Sequence, residues 1–108
     1  MSNEGTLVAA IRKAILAEYP TAWTFKVHGS PYQMAGVPDL LVCIDGKLLG
    51  LEVKHQKPGE SREHAEGRVS PQQHFQMDAI RRAGGTAAVV MSVDESLAAI
   101  EKVLDTGA

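Results

Sequence analysis

The amino-acid sequence predicts a single α/β domain in which a central mixed β-sheet is flanked by helices. Its length of 108 residues is enough for one hydrophobic core but not for two. Helix-type and strand-type apolar patterns alternate along the chain in the order α-β-β-β-α-β-α, which is typical of a layered α/β fold. The two central runs are apolar on both faces, as in a sheet covered on both sides. We therefore expect residues 1–108 to form one domain.

The first three predicted elements are a helix, a short strand and a loop. Residues 4–18 carry apolar side chains at helical spacing, and Pro20 ends the pattern. Residues 24–28 alternate apolar and polar side chains, which favours a strand. Residues 29–36 are rich in loop-forming residues, and we expect this loop to cross the top of a site.

Residues 39–44 and 47–54 predict a β-hairpin. Asp45 and Gly46 separate the two runs, and this pair favours a two-residue type I′ turn. In that register, residues that oppose each other have numbers that add up to 91, so Asp39 opposes Glu52. Lys54 lies two residues beyond Glu52, on the same face. The hairpin therefore brings two carboxylates and one ammonium group together.

The second half of the chain predicts a loop, a helix, a strand and a final helix. Residues 55–69 have almost no apolar side chains, and we expect them to form a mobile loop outside the core. A capping box of Ser70 and Gln73 then begins a helix that ends near Gly84. Residues 86–92 are a continuous apolar strand pattern, and a second capping box begins the last helix.

Composition excludes several classes of protein. Eleven Lys and Arg stand against thirteen Asp and Glu, so nucleic acid could be bound only by a local patch and not by bulk positive charge. The single cysteine, Cys43, cannot form an internal disulfide, and no secretion-signal pattern is visible, so we expect a reducing cytoplasmic location. No apolar stretch approaches the roughly 20 residues of a membrane helix.

The cluster of Asp39, Glu52 and Lys54 has two interpretations. A solvated strand end could carry these charges without any function. However, Leu51 and Val53 flank Glu52 within an apolar run, and unpaired charge is costly at the edge of a buried sheet. Converging carboxylates of this kind commonly hold Mg²⁺, whose remaining ligands are water and substrate phosphate. The pattern indicates a metal site for phosphodiester cleavage.

Three motifs in this order resemble a known family. Gly36-Val37-Pro38-Asp39, Glu52-Val53-Lys54 and Ser70-Pro71-Gln72-Gln73 are similar to the G-V-P-D, E-V-K and S-P-x-Q signatures of VRR-Nuc domains, in the PD-(D/E)XK nuclease superfamily. The resemblance covers residues 4 to about 94. It implies a restriction-endonuclease-like fold and a divalent-metal-dependent endonuclease that hydrolyses DNA.

The resemblance also implies a ligand set for Mg²⁺ or Mn²⁺. Asp39 and Glu52 would hold the ion, with the Val53 carbonyl as a further ligand. The acid that the family has on its first helix would complete the shell directly or through water, and Glu4 matches it best because this residue stands just before the apolar helix face. Glu18 is the alternative.

Lys54 and Gln73 complete the expected catalytic group. Lys54 would orient or deprotonate the attacking water and neutralise charge on the phosphate. Gln73 would hydrogen-bond the water, Lys54 or a phosphate oxygen, whereas Ser70 would cap the helix. We expect the contacts to DNA phosphates to come from Lys26, Lys57, Arg62 and Arg68, each of which could instead be an ordinary solvated charge. Trp23 and Tyr32 could stack on unpaired bases or pack against the domain.

Stand-alone domains of this kind resemble dimeric Holliday junction resolvases, so the resemblance implies branched DNA as substrate and a homodimer as the active form. A two-fold protein would match the paired scissile phosphates of a symmetric junction. The alternative is a non-catalytic nucleic-acid-binding module that keeps the nuclease fold. The expected location is the cytoplasm of a bacterium or of a phage-infected host.

Overall fold

The computed structural model describes residues 3–30 and 33–105, and it confirms the α/β class and the order of the seven expected elements. The elements are α1 (Asn3–Glu18), β1 (Trp23–Lys26), β2 (Leu40–Ile44), β3 (Lys47–Val53), α2 (Arg62–Glu66), α3 (Pro71–Arg82), β4 (Thr86–Val90) and α4 (Val93–Asp105). The short helix α2 is an addition. Tyr32 lies outside the described residues. None of the described helices is long and apolar enough to cross a membrane.

The four strands form one mixed sheet in the order β1-β2-β3-β4, with only the β3–β4 pair parallel. Leu40 pairs with Leu51 in the hairpin, which confirms the predicted register. Asp45 and Gly46 have φ angles of 51° and 75°, the positive values that a type I′ turn requires. The register therefore places Asp39 and Glu52 side by side at one end of the sheet.

The main core lies between one face of the sheet and helices α1 and α4. Strand residues such as Leu40, Leu49 and Leu51 are fully buried against Ile11 of α1 and Ile100 of α4. The buried side chains of this core are aliphatic, and no aromatic ring is among them. This core fixes the sheet, and with it the strand ends that carry the candidate site.

The opposite face is only partly covered, which corrects the expectation of a hairpin buried on both sides. Helix α3 packs on β3 and β4 through Met77 and Ile80. A helix about 10 Å wide covers roughly two strands that are ~4.8 Å apart. Trp23, Phe25 and Leu48 are therefore left 54%, 45% and 40% exposed, and the two rings stack with their centroids 6.0 Å apart.

Residues 55–69 also have more secondary structure and burial than their composition predicts. They contain α2, whose N-cap is Ser61, and Ala65 and Val69 are buried. The expectation that this segment stays outside the core is therefore wrong. Polar groups within the segment satisfy one another, so two small apolar anchors are enough to hold it against the domain.

Candidate active site

The end of the hairpin brings together the three charged residues that the register predicts. Asp39 precedes β2, and its Oδ2 accepts a hydrogen bond of 2.8 Å from the Val53 backbone N–H. Lys54 follows β3, and its Nζ lies 3.4 Å from Glu52 Oε2. The Lys54 backbone N–H donates to the Val90 carbonyl, which anchors the strand end to β4.

Helix α3 adds Gln73 through its N-terminal capping box. Ser70 Oγ accepts from the Gln73 backbone N–H at 3.1 Å, and Gln73 Oε1 accepts from the Ser70 N–H at 2.8 Å. Because the cap holds the amide group in this orientation, Gln73 Nε2 donates to Glu52 Oε2 at 2.8 Å. The structure thus gives Gln73 a carboxylate partner, rather than the Lys54 partner that sequence analysis considered. Ser70 is the helix cap, as expected.

Of the two acids on α1, Glu4 is the one near the site. Among the described residues it does not converge with Asp39 and Glu52 into a metal-binding group, which does not fit the expectation of a direct ligand. Glu4 Oε2 accepts a hydrogen bond of 3.5 Å from the backbone N–H of His55, the residue after Lys54. Its charge also contributes to raising the pKa of Asp39. Glu18 is the last residue of the same helix, about 20 Å away along the helix axis.

Burial makes the two strand carboxyls resist ionisation. The side chain of Glu52 is 1% exposed, and burial, reinforced by the neighbouring Asp39 carboxylate, raises its pKa to about 7. Burial likewise raises the pKa of Asp39, although the hydrogen bond from Val53 opposes the shift. The Lys54 ammonium offsets only part of this cost. A further positive charge would stabilise both carboxylates.

Glu52 also carries an unsatisfied atom that fits a cation. Within the part of the chain that the structure describes, Glu52 Oε1 is buried and meets no hydrogen-bond donor, an arrangement that costs free energy. In the same ranges, no three His, Cys, Asp or Glu side chains converge closely enough to hold a metal by themselves. Mg²⁺ is commonly held by one or two protein carboxylates, with water as the other ligands. Asp39 and Glu52, with the Val53 carbonyl, fit that requirement.

The four cations expected to contact DNA divide into two pairs. Arg62 forms ion pairs with Glu66 and Glu95 at 2.7 and 2.8 Å. Arg68 pairs with Glu60 and also donates to the His55 carbonyl. Lys26 and Lys57 have no acidic partner among residues 3–30 and 33–105. The two lysines are therefore the cations available to a ligand, and Arg62, held by two carboxylates, is withdrawn from the expected DNA contacts.

Gly36 has a structural role that was not predicted from the sequence. Its φ is +85°, and a Cβ placed there would collide with the Gln72 carbonyl group and lie 2.8 Å from the Gln73 backbone nitrogen. The loop before Asp39 therefore rests directly on the first turn of α3. Gly36 stands first in the G-V-P-D motif, and this was the signal that marked it.

Comparisons with known proteins agree with this architecture. No protein-family model matches the chain, and no curated protein matches it. A solved structure described as a VRR_NUC domain superimposes with a TM-score of 0.60 at 22% identity, covering 94% of this chain and 97% of that one. A second, described as a VRR_NUC domain protein, gives 0.65 at 18% identity over 94% and 88%. The chain therefore has the VRR_NUC fold, which confirms the resemblance at the level of fold.

The raised pKa of Glu52 predicts how the stability of the metal-free protein depends on pH. Between pH 4.5 and about 7, folded Glu52 keeps a proton that the unfolded chain has released. The stability from this proton is fully present below pH 4.5 and is lost as pH rises through 7. We expect the free energy of unfolding of Glu52→Gln, relative to wild type, to increase as the pH rises through this range. The total increase should be on the order of a few kcal/mol.

Denaturant unfolding of both metal-free proteins at a series of pH values would measure this difference. The four histidines also titrate in part of this range, but they are common to both proteins and cancel in the comparison. A constant difference in stability from pH 4 to 8 would contradict the assigned electrostatics.

Proposed function

We propose that this protein is a divalent-metal-dependent endonuclease that hydrolyses DNA phosphodiester bonds. The observation that carries the proposal is the pair of half-buried Asp39 and fully buried Glu52, whose mutual repulsion and orphaned oxygen would be relieved by a bound cation. The VRR_NUC fold supports the same function. Mg²⁺ and Mn²⁺ are the candidate ions, because both prefer oxygen ligands.

Each residue of the site has a part in hydrolysis. Asp39 and Glu52 would hold the ion, which supplies charge neutralisation and a more acidic water when bound. Lys54 would orient the attacking water and balance the charge that develops on the phosphate as the phosphorus–oxygen bond breaks. Gln73 keeps the Glu52 carboxylate in place through its 2.8 Å hydrogen bond.

The alternative function is a non-catalytic nucleic-acid-binding module. Such a module would gain nothing from a buried Glu52 beside a half-buried Asp39, because the pair repels DNA phosphates and costs stability when ionised. The geometry therefore favours the enzyme. The two functions differ in whether DNA is cut, and binding alone does not separate them.

A panel of labelled DNAs tests the proposal. Four-way junctions, flaps, splayed arms, duplex and single strands would be incubated with Mg²⁺ or Mn²⁺, with EDTA and the Glu52→Gln variant as controls. We expect metal-dependent cuts, with branched DNA cut faster than duplex. DNA binding without cleavage of any member of the panel would establish the alternative.

We also propose that the active form is a homodimer that uses the exposed face of β1. Trp23, Phe25 and Leu48 carry no charge that could contact a DNA backbone, and aromatic side chains are enriched at protein interfaces. The two half-exposed rings present on the order of 200 Å² of apolar surface. This surface can form the centre of an interface that typically buries about 800 Å² per partner. A two-fold contact would bury this surface on both copies.

Light scattering after size exclusion would test the dimer. We expect the wild type to be dimeric and the double variant Trp23→Ser, Phe25→Ser to be monomeric. The double variant Met34→Ser, Phe75→Ser, which also removes exposed apolar side chains but leaves β1 intact, is the control. A monomeric wild type at micromolar concentration would remove the dimer from the proposal.

Lys26 and Lys57 are expected to bind DNA phosphates. Replacing both by Ala should weaken binding to all DNA shapes and reduce the slope of log K against log salt by about 2, because each phosphate contact contributes ≈0.9. A matched control is Arg82→Ala with Lys102→Ala, which removes the same charge at the C-terminal ends of α3 and α4. If the control reduced DNA affinity and the salt slope equally, Lys26 and Lys57 would not be specific contacts to the DNA backbone.

A further inference from the structure

Residues 55–69, which follow β3, close around one buried carboxylate. The Glu60 side chain is only 6% exposed, although its segment is strongly polar. Its Oε1 accepts from the Lys57 backbone N–H at 2.9 Å, and its Oε2 contacts both Arg68 and His64 Nδ1. The Glu60 backbone N–H donates back to the Lys57 carbonyl. The segment is therefore tied to this residue from several sides.

Arg68 uses its two terminal nitrogens for different purposes. Nη1 pairs with Glu60, and Nη2 donates to the His55 carbonyl at 2.7 Å. Since a guanidinium group is planar, the carboxylate that holds one nitrogen also fixes the direction of the other. Glu60 thereby aims Arg68 at the backbone of His55.

This contact joins the two elements that carry the candidate site. His55 directly follows Lys54 at the end of β3, and Arg68 lies two residues before Ser70, the cap of α3. The same His55 residue donates its N–H to Glu4 on α1. Arg68 thus braces the point where the Lys54 strand end, the α3 cap and the first-helix acid meet.

The charges of Glu60 and Arg68, which together form a brace between β3 and α3, satisfy each other. Hydrogen bonding from the Lys57 N–H, with further contributions from His64 and Arg68, lowers the pKa of Glu60 to about 2, so the carboxylate stays ionised near neutral pH. The Arg68 side chain is 29% exposed, and two of its five N–H groups are used by Glu60 and His55. Its charge is paired with the Glu60 carboxylate, so Arg68 is less suited to DNA binding than a cation such as Lys26, which has no acidic partner among the described residues.

We propose that Arg68 is a positioning residue of the candidate site and that Glu60 holds it in that role. The inference rests on the proposed function, and it replaces the expectation that Arg68 contacts DNA. In this role Arg68 would contact neither substrate nor metal. It acts through the His55 backbone on Lys54 and Glu4, and through the α3 cap on Gln73.

Arg68→Ala tests this role, with Arg62→Ala as its matched control. Both changes remove one guanidinium from the same segment, but the ion pairs of Arg62 are made with Glu66 and Glu95. We expect Arg68→Ala to weaken Mn²⁺ binding, measured by calorimetry without DNA, by about tenfold or more. It should lower kcat while leaving KM for DNA near the wild-type value. Arg62→Ala should leave both quantities near wild type.

Two further variants separate a brace from a phosphate contact. Arg68→Lys keeps the charge but cannot reproduce the two-pronged contact, so it should show most of the Arg68→Ala defect. Glu60→Gln should show the same defect. Combining it with Arg68→Lys in a double variant should make the defect little worse than in either single variant. If Arg68 instead bound phosphate, Arg68→Lys would restore activity and Glu60→Gln would strengthen DNA binding.

Hydrogen exchange of the metal-free protein gives a readout that does not depend on cleavage. The backbone amides of residues 53–56 and 70–73 should exchange faster in Arg68→Ala than in wild type, and at the wild-type rate in Arg62→Ala. If Arg68→Ala does not fold, Arg68→Lys takes its place. Wild-type exchange and wild-type Mn²⁺ affinity in the Arg68 variants would overturn the inference. A wild type that cuts no DNA would remove the proposed function, while exchange would still decide whether Arg68 is a brace.

Discussion

Glu52→Gln is expected to reduce metal-dependent DNA cleavage by about a thousandfold or more, because it removes a charged ligand from the proposed ion. The same change should stabilise the metal-free protein at pH 8. Gln keeps an oxygen for the hydrogen bond from Gln73, but it carries no charge in a buried position beside Asp39. Loss of activity together with a gain of stability is the signature of a functional charge and not of a structural one.

Cleavage rates on the preferred DNA and denaturant unfolding at pH 8 would measure the two effects. Glu101→Gln is a suitable control, since it neutralises an exposed acid on α4. Asp39→Asn should behave like Glu52→Gln, because the amide oxygen can still accept the Val53 N–H. Cleavage by Glu52→Gln within tenfold of wild type would show that the ion, if bound, is held elsewhere.

Local sequence signals predicted the part of the site that depends on neighbouring residues. The Asp45-Gly46 turn set the hairpin register, and the register placed Asp39 opposite Glu52. The capping pattern of Ser70 and Gln73 set the start of α3. In both cases a motif of two to four residues, the turn or the cap, sets the geometry, so the sequence shows it locally.

Contacts between distant segments could not be predicted in this way. Arg68 contacts His55, 13 residues away, through a side chain and a backbone carbonyl, and such polar contacts leave no periodic pattern. The family resemblance favoured Glu4, but it left Glu18 open, because the choice depends on the direction in which α1 crosses the sheet. Strand alternation predicted β1, but it did not show that the single helix α3 would leave Trp23 uncovered.

Gly36→Ala is expected to have the largest structural effect of any single-methyl change at the candidate site. Two costs add, because the residue has a φ of +85° and its Cβ would collide with the Gln72 backbone. A positive φ alone costs an alanine about 1–2 kcal/mol. The collision is with the backbone of the first turn of α3, which cannot move aside by a rotamer change. We expect a total loss of stability of about 3 kcal/mol.

Activity should fall as well, because relief of the collision requires the loop before Asp39 and the α3 turn of Gln73 to move apart, and both residues serve the same carboxylate cluster. Two glycines separate the causes. Gly84 has a φ of +98° with open space around it, so Gly84→Ala should show the backbone strain alone, and Gly29, with neither feature, should tolerate alanine. Thermal unfolding and cleavage would rank the three variants. If Gly36→Ala were no worse than Gly84→Ala in both measurements, the loop would not be pressed against α3, and the positioning of Asp39 would have to come from the hairpin alone.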